Sequence, residues 1–180
     1  MSDKMKVALI PNDFSMDLEQ VFQLCQQENV KYVELAYMWG KSILDLSEAE
    51  LARVHELMDS YGLKTASIQT QIMKVFPPGS KLAKPGSQNM HRDFEFNISR
   101  IDTAIDRAKE FKTDYIVTYS FFRYLSEVTE KNWQLLLDIY GKFLPKLKAA
   151  NKTAVVECEG DTYVGRSEEH TSELQSPNTI

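Results

Sequence analysis

The chain of 180 residues lacks several features that mark whole classes of protein. Its longest apolar runs have about six residues, well short of the roughly 18 that span a bilayer. Its two cysteines, Cys25 and Cys158, are too few for a disulfide framework. The first residues lead into a strand-like run and not into a long apolar segment. We therefore expect no secretory signal peptide and a reduced, cytoplasmic setting.

A basic stripe and an arginine-rich run are also missing. The net charge is −5 and the isoelectric point is about 5.3. Because nucleic acids and anionic membranes attract basic surfaces, this composition argues against both as partners. Hydrophobic residues make up 43% of the chain, enough for the core of one domain. The composition predicts a soluble globular protein and leaves its function open.

Short apolar runs alternate with amphipathic segments along most of the chain. Strands are predicted over residues 6–10, 32–37, 65–69 (extending toward 76), 115–119 and 154–157. Helices are predicted over residues 16–29, from Ser47 to Gly62, and over 94–111 and 130–150. Ser15 is the expected N-cap of the first helix, Ser47 and Glu50 have the spacing of a capping box, and Pro145 predicts a kink or break near Phe143.

This β-α order indicates an α/β protein with a parallel sheet and right-handed crossovers. Two architectures fit: an open doubly wound sheet, or part of an eight-stranded (β/α) barrel. No G-x-G-x-x-G turn follows the first strand, so the nucleotide-binding version of the open sheet lacks its phosphate cradle, which favours the barrel.

Two segments stand apart from this pattern. Residues 77–91 contain three prolines and two glycines, which predicts a long and functional or flexible loop. Residues 166–176 match one reading frame of a widely used sequencing adapter, and no helix follows the last strand. We expect residues 166–180 to be a non-native, disordered tail and residues 1–165 to be the native part of the chain.

In both α/β architectures, ligands gather where parallel strands end, so polar residues there are the candidates for chemistry. Glu34 lies inside the second predicted strand, where a carboxylate must either bind something or be satisfied by a lysine or amide of a neighbouring strand. Glu157 and Glu159 flank Cys158 after the fifth strand, with the spacing that places both on one side of an extended chain. Carboxylates of this kind are oxygen ligands for a metal, although two are weak support for a site.

Other candidates lie in loops, and each has a structural alternative. Trp39, beside Tyr37, can wall a sugar-sized pocket or simply pack. Lys74 and His91 border the long loop and can bind an anion, transfer a proton or only contact solvent. Arg123 follows the fourth strand and has the planar fork that binds phosphate or carboxylate.

These residues resemble the sugar phosphate isomerase/epimerase family of xylose-isomerase-like (β/α)8 barrels. The motifs that carry the resemblance are Tyr32-Val-Glu-Leu35, Trp39-Gly-Lys41, Leu44-Asp-Leu-Ser47, Gly62-Leu-Lys64, the segment from Tyr115 to Arg123, and Ala154-Val-Val-Glu-Cys-Glu-Gly160. The resemblance implies a partial TIM barrel with about five strands and four helices of the eight-unit barrel.

The resemblance also has departures. Many relatives have a Ser-Pro-Ile-Gly-Lys turn after the third strand, whereas this chain has Thr70-Gln-Ile-Met-Lys74. Val117 stands where relatives often carry an arginine. The family's further metal ligands, an Asp or His and another Glu, come from strands six to eight, which are absent here.

The family resemblance implies a fragment of a metal-dependent sugar or sugar-phosphate isomerase or epimerase that moves a proton next to a carbonyl. Glu157 is then the catalytic and metal-binding residue, and the substrate-binding residues are Glu34, Trp39, Lys74, His91 and Arg123. The parent would use Mn, Mg, Zn or Co, and we expect the fragment to be inactive and to bind no metal tightly. The alternatives are a non-catalytic sugar-binding barrel and an apurinic-site endonuclease-like enzyme, although the acidic charge disfavours the endonuclease.

Overall fold

The computed structural model describes residues 6–78, 80, 94–123 and 128–165. Its strands are β1 (Ala8–Leu9), β2 (Tyr32–Leu35), β3 (Tyr37–Met38), β4 (Lys41–Ser42), β5 (Lys64–Gln69), β6 (Tyr115–Thr118) and β7 (Thr153–Val156). Its α-helices are α1 (Leu18–Gln27), α2 (Glu48–Tyr61), α3 (Phe94–Ser99), α4 (Ile101–Glu110) and α5 (Glu130–Ala149). Within these ranges, no helix is both long and apolar enough to cross a membrane.

Five strands form one sheet in the order β1-β2-β5-β6-β7, and β3 pairs with β4 in a separate hairpin. The pairs β1–β2, β2–β5 and β5–β6 are parallel. Each main-sheet strand lies beside the next one along the chain, whereas a doubly wound sheet reverses its direction at a switch point. The topology therefore confirms the predicted α/β class and decides between the two architectures in favour of barrel-type winding.

Short-range hydrogen bonds determine where the first two main helices begin. α2 starts at a complete capping box between Ser47 and Glu50 and ends at Gly62, whose φ of 65° is left-handed, as predicted. α1 is capped by Asp17, whose carboxylate accepts hydrogen bonds from two backbone N–H groups of the first turn. The prediction of Ser15 as the N-cap is therefore wrong, because an equally good capping residue follows two positions later.

Three predicted boundaries differ from the structure. The helix expected over 94–111 is divided into α3 and α4 at Arg100, where the guanidinium donates to Asp45 Oδ1 and to Leu44 O. The expected extension of the third strand toward residue 76 is a turn. α5 continues unbroken through Pro145, so the predicted helix break does not occur.

The chain divides into two compact units. The first comprises Met1–Thr70, Arg100–Val117 and Lys146–Ala154, and the second comprises Gln71–Ser99, Thr118–Pro145 and Val155–Ile180. Apolar residues of β2, β5, α1 and α2 form the core of the first unit, including Phe22, Cys25, Val33, Val54 and Ile68. In the second unit Phe121 packs against Phe94 and Tyr163, with ring centroids 6.1 and 5.7 Å away.

Candidate functional site

Glu34 lies on β2 in the first unit and is held by a residue of the neighbouring strand. The register of β2 against β5 shifts between Val33 and Glu34, so that Glu34 is paired with Ser67. The Ser67 hydroxyl donates a hydrogen bond to Glu34 Oε2. Ser67 is buried and Glu34 is half-buried. The Ser67 hydroxyl thus helps to satisfy this carboxylate, which lies near the end of β2.

Trp39 occupies the tip of the β3–β4 hairpin that follows β2 directly. Trp39 and Gly40 have φ angles of 51° and 78°, the two positive values that a type I′ turn requires. Glycine adopts this conformation freely, whereas the Cβ of a tryptophan makes it unfavourable by roughly 1–2 kcal/mol. The Trp39 side chain is 38% exposed. The hairpin therefore holds a large aromatic ring partly in solvent at the cost of backbone strain.

Hydrogen bonds hold this hairpin in place within the first unit. The Tyr37 N–H donates to Asn12 Oδ1 at 3.2 Å, and Lys41 Nζ lies 2.6 Å from Glu50 Oε1. The Lys41 ammonium, together with the Ser47 backbone N–H, lowers the pKa of Glu50 to about 2. The Trp39 ring is therefore presented on a well-anchored support and not on a loose loop.

The turn after β5 carries Lys74 in the second unit. The Met73 N–H donates to Asn97 Oδ1 at 2.7 Å, and Asn97 Nδ2 donates to Gln71 O at 2.6 Å. Met73 has a φ of 71° and a fully buried side chain. At this position the motif named above has glycine, the residue that adopts a left-handed backbone without strain. Met73 keeps that backbone conformation, and burial of its side chain offsets the strain.

Lys74 is paired with Glu159, a residue 85 positions later in the chain. Lys74 Nζ lies 2.7 Å from Glu159 Oε1 and 4.4 Å from the centroid of the Tyr119 ring. The Lys74 side chain is only 13% exposed and that of Glu159 is 27% exposed. A carboxylate and an aromatic face together compensate the ammonium group for the water it has lost. The structure thus adds Tyr119 to the candidate site and pairs Glu159 with Lys74.

Glu157 and Arg123 also lie in the second unit. Glu157 follows β7 directly, and its N–H donates to Thr118 O at 2.9 Å, which fixes its backbone at the strand end. The Arg123 N–H donates to Asp161 O at 2.7 Å. Both side chains are half-buried. Glu157 therefore follows β7 and Arg123 follows β6, as the sequence predicted.

The remaining predicted residue, His91, lies outside the described residues. Of the others, Glu34 and Trp39 belong to the first unit, and Lys74, Glu157 and Arg123 belong to the second. The sequence suggested Glu159 only as a metal ligand beside Glu157, and it suggested no site role for Ser67 or Tyr119. Only Glu159 carried a signal, its spacing of two from Glu157; the partners of Glu34 and Lys74 depend on strand register and on the fold.

A metal centre needs more donors than these residues supply. In the part of the chain that the structure describes, no group of three or more His, Cys, Asp or Glu side chains lies close enough to hold a metal ion. Glu157 offers one carboxylate, and Glu159 is engaged by Lys74. Zinc takes about four protein or water ligands and calcium or magnesium about six or more. The described donor set therefore does not fit a complete metal site.

The chain is similar to proteins of one family. The sequence profile of that family, described as xylose isomerase-like TIM barrel, matches residues 22–176. No curated protein matches the chain.

Solved structures share its fold. The probable 3-DHS dehydratase AsbF from Bacillus anthracis matches with a TM-score of 0.66 at 16% identity, over 94% of this chain and 58% of that one. A xylose isomerase-like TIM barrel protein from Mycobacterium smegmatis in complex with magnesium matches with a TM-score of 0.61 at 12% identity, over 91% and 54%. D-allulose 3-epimerase from Methylomonas sp. in complex with D-allulose matches with a TM-score of 0.63 at 11% identity, over 95% and 58%.

At these identities, the similarity to the solved structures shows the fold alone. Together with the profile match and the unreversed parallel strand order, it confirms the predicted partial TIM barrel. This chain spans 54% to 58% of the length of these three proteins.

Proposed function

The chain belongs to the family of xylose isomerase-like TIM barrels, and we propose that it is the N-terminal part of a sugar or sugar-phosphate isomerase or epimerase. In this proposal residues 1–165 supply about five of the eight βα units, and residues 166–180 are a non-native tail. The observation that carries the proposal is the placement of polar groups after parallel strands. Lys74 follows β5, and Glu157 and Glu159 follow β7, the strand ends at which barrels of this type bind substrates.

The chemistry of these groups suits proton transfer next to a carbonyl. Isomerisation and epimerisation remove a proton from a carbon beside a C=O group and return it, and a positioned carboxylate such as Glu157 is a suitable base. An ammonium group has three N–H donors, so the contact of Lys74 with Glu159 leaves capacity for a substrate oxygen that becomes negative in the reaction. The proposed substrate-binding residues are Glu34, Trp39, Lys74, His91 and Arg123.

Trp39 suits a sugar ligand on physical grounds. A partly exposed indole face packs well against the C–H face of a sugar ring, and a rigid support lowers the entropy lost when the ring binds. The Methylomonas neighbour was solved with D-allulose, which supports a small sugar as the partner. We further propose a cytoplasmic setting for the parent.

A divalent metal ion, Mn, Mg, Zn or Co, belongs to the proposal for the intact parent. The magnesium complex of the Mycobacterium neighbour supports such use within the fold. Glu157 would be one ligand, and the others would come from parts of the barrel that this chain does not contain. We therefore expect the 180-residue chain by itself to be inactive and to bind no metal tightly.

The test begins with the coding sequence of the parent in its source genome. It should continue past Gly165 with further βα units that carry carboxylate or histidine residues at their strand ends. The purified parent, incubated with D-allulose and related ketoses in D₂O, should incorporate deuterium next to the carbonyl, as followed by proton NMR.

Variants of the parent distinguish catalysis from binding. Glu157→Gln should slow the exchange by about 100-fold or more, whereas Glu130→Gln, at the exposed start of α5, should leave it unchanged. Sugar binding without exchange in the wild-type parent would instead favour the non-catalytic sugar-binding barrel. An extension without such strand ends would refute the isomerase proposal outright.

A further inference from the structure

We propose that Glu159 is a specificity-determining residue that makes this site reject anionic ligands, so that the substrate is an uncharged sugar and not its phosphate ester. This inference rests on the proposed function, since it names the substrate class of that site. The sequence suggested that Lys74 binds an anion, and the contacts of Lys74 in the structure change that expectation.

Lys74 does not present an uncompensated positive charge. Its ammonium lies between the Glu159 carboxylate, 2.7 Å away, and the Tyr119 ring, 4.4 Å from the centroid. Both neighbours are electron-rich and both favour the cation. The pair as a whole is neutral, and most of the Lys74 side chain is shielded from water. A ligand approaching Lys74 therefore meets a dipole and not a net positive charge.

The segment after β7 is rich in carboxylates: Glu157, Glu159 and Asp161 stand at a spacing of two residues, and Glu159 is the one paired with Lys74. A phosphate dianion placed beside Lys74 would have to break the ion pair and would leave Glu159 close to a like charge.

A sugar hydroxyl meets no such conflict. Each hydroxyl is both a donor and an acceptor, so one hydroxyl can donate to Glu159 while its neighbour accepts from Lys74. The ion pair then stays intact and its two halves bind adjacent oxygens of the ligand. The geometry of the pair is thus suited to a neutral diol and unsuited to a phosphate dianion.

The test uses the full 180-residue chain with inorganic phosphate as the probe. Wild type should show no phosphate binding that depends on Lys74. Glu159→Gln keeps the shape of the side chain and removes its charge, so it should bind phosphate at least about tenfold more tightly than wild type in calorimetric titration. The double variant Lys74→Met/Glu159→Gln should lose this gain, and Glu159→Asp should reject phosphate as wild type does.

Glu130→Gln is the matched control, since it removes one negative charge from an exposed position in the same unit. Circular dichroism melts of all variants should show that the fold is retained. The proposal is overturned if wild type binds phosphate as tightly as Glu159→Gln, if Glu159→Gln gains no binding, or if the gain persists without Lys74.

A second arm tests the substrate class on the parent. Wild type should exchange deuterium into a free ketose in preference to the phosphate ester of the same ketose, and Glu159→Gln should narrow or reverse that preference. Preference of wild type for the ester would overturn the inference while leaving the proposed isomerase intact. Absence of exchange with both substrates would refute the proposed function. The phosphate titrations of the 180-residue chain test rejection of phosphate by the ion pair independently of that result.

Discussion

Ser67 donates a hydrogen bond to Glu34 across the β2–β5 pair because the register of that pair shifts by one residue between Val33 and Glu34. Without the shift, Glu34 would be paired with Ala66, whose side chain has no donor. Irregularities of this type often re-aim a side chain near a functional site. The half-buried carboxylate thereby gains a hydrogen-bond donor.

Replacement of Ser67 by alanine should test the strength of this bond. Ser67→Ala should lower the free energy of unfolding by about 2 kcal/mol, because it removes a hydrogen bond to a partly buried charged group. Urea denaturation measures the change. Ser60→Ala, which removes an exposed hydroxyl from α2, is the control and should change stability by less than about 0.5 kcal/mol. Equal effects of the two variants would show that the Glu34–Ser67 bond adds nothing to stability.

Glu50 should make the chain sensitive to acid. Its pKa falls from the ordinary 4.5 to about 2, chiefly through the Lys41 ammonium and the Ser47 N–H. A lowered folded-state pKa contributes stability that is fully present above pH 4.5 and is lost as the pH falls toward 2. The stability advantage of wild type over Glu50→Gln should therefore shrink across that range in denaturation curves. Glu48→Gln, which removes the same charge from the same helical turn, is the matched control. A pH-independent advantage of wild type over Glu50→Gln would contradict the assignment.

The hairpin tip offers two substitutions with opposite expected signs. Trp39→Asn should raise the free energy of unfolding by about 1 kcal/mol, since asparagine tolerates the left-handed backbone better than tryptophan. Gly40→Ala should lower the free energy of unfolding by about 1 kcal/mol, because φ is +78° there and a Cβ strains this backbone conformation. No neighbouring atom would touch the new Cβ, so the strain is the whole effect. Thermal unfolding of both variants provides the measurement.

Trp39→Asn should also weaken sugar binding by the parent if the Trp39 ring contacts the ligand. We therefore expect the variant to be more stable than wild type and to bind sugar more weakly, with binding measured by calorimetric titration. A variant that is stabilised and binds sugar as well as wild type would remove Trp39 from the site.

Tyr140 should affect stability at high pH. Its hydroxyl donates to Tyr119 O at 2.6 Å and lies 2.8 Å from Thr118 Oγ1. Burial raises the pKa of Tyr140 from 10 to about 12. The folded state thus favours the neutral phenol, and this contribution is present below pH 10 and is lost as the pH rises toward 12.

Tyr140→Phe should lower the free energy of unfolding by about 1 kcal/mol at neutral pH, through loss of the buried hydrogen bonds. The difference from wild type should decrease between pH 10 and 12 in denaturation curves. Tyr115→Phe, at an exposed position, is the control and should leave stability nearly unchanged. A Tyr140→Phe deficit that is constant up to pH 12 would show that Tyr140 titrates alike in the folded and unfolded chains.

Local patterns predicted most of the secondary structure. The capping box of Ser47 and Glu50 and the left-handed Gly62 were recognisable because each depends on residues within about one turn of helix. The misplaced N-cap at Ser15 is also a local matter, a choice between two capping residues two positions apart. The division at Arg100 has the opposite cause. Arg100 contacts Asp45 and Leu44, more than 50 positions earlier, and no local pattern reports such a contact.

The candidate site shows the same division. The sequence identified Glu157 as a polar residue after a strand and Lys74 as a residue bordering the long loop. In the structure both follow strands, β7 and β5 respectively. The sequence did not pair Lys74 with Glu159, although both residues were visible. The pairing depends on bringing two strand ends together across 85 residues, which only the fold accomplishes.

By itself, the sequence determined the alternation of strands and helices, the resemblance to sugar isomerases, and the residues available for chemistry. These properties follow from hydrophobic period, capping chemistry and residue type, all of which act over a few positions. The tertiary structure alone decided the unreversed order of the parallel sheet, the register that places Ser67 against Glu34, and the neutralisation of Lys74 by Glu159. Those properties are contacts between residues far apart in the chain, and their energies exist only once the strands have paired.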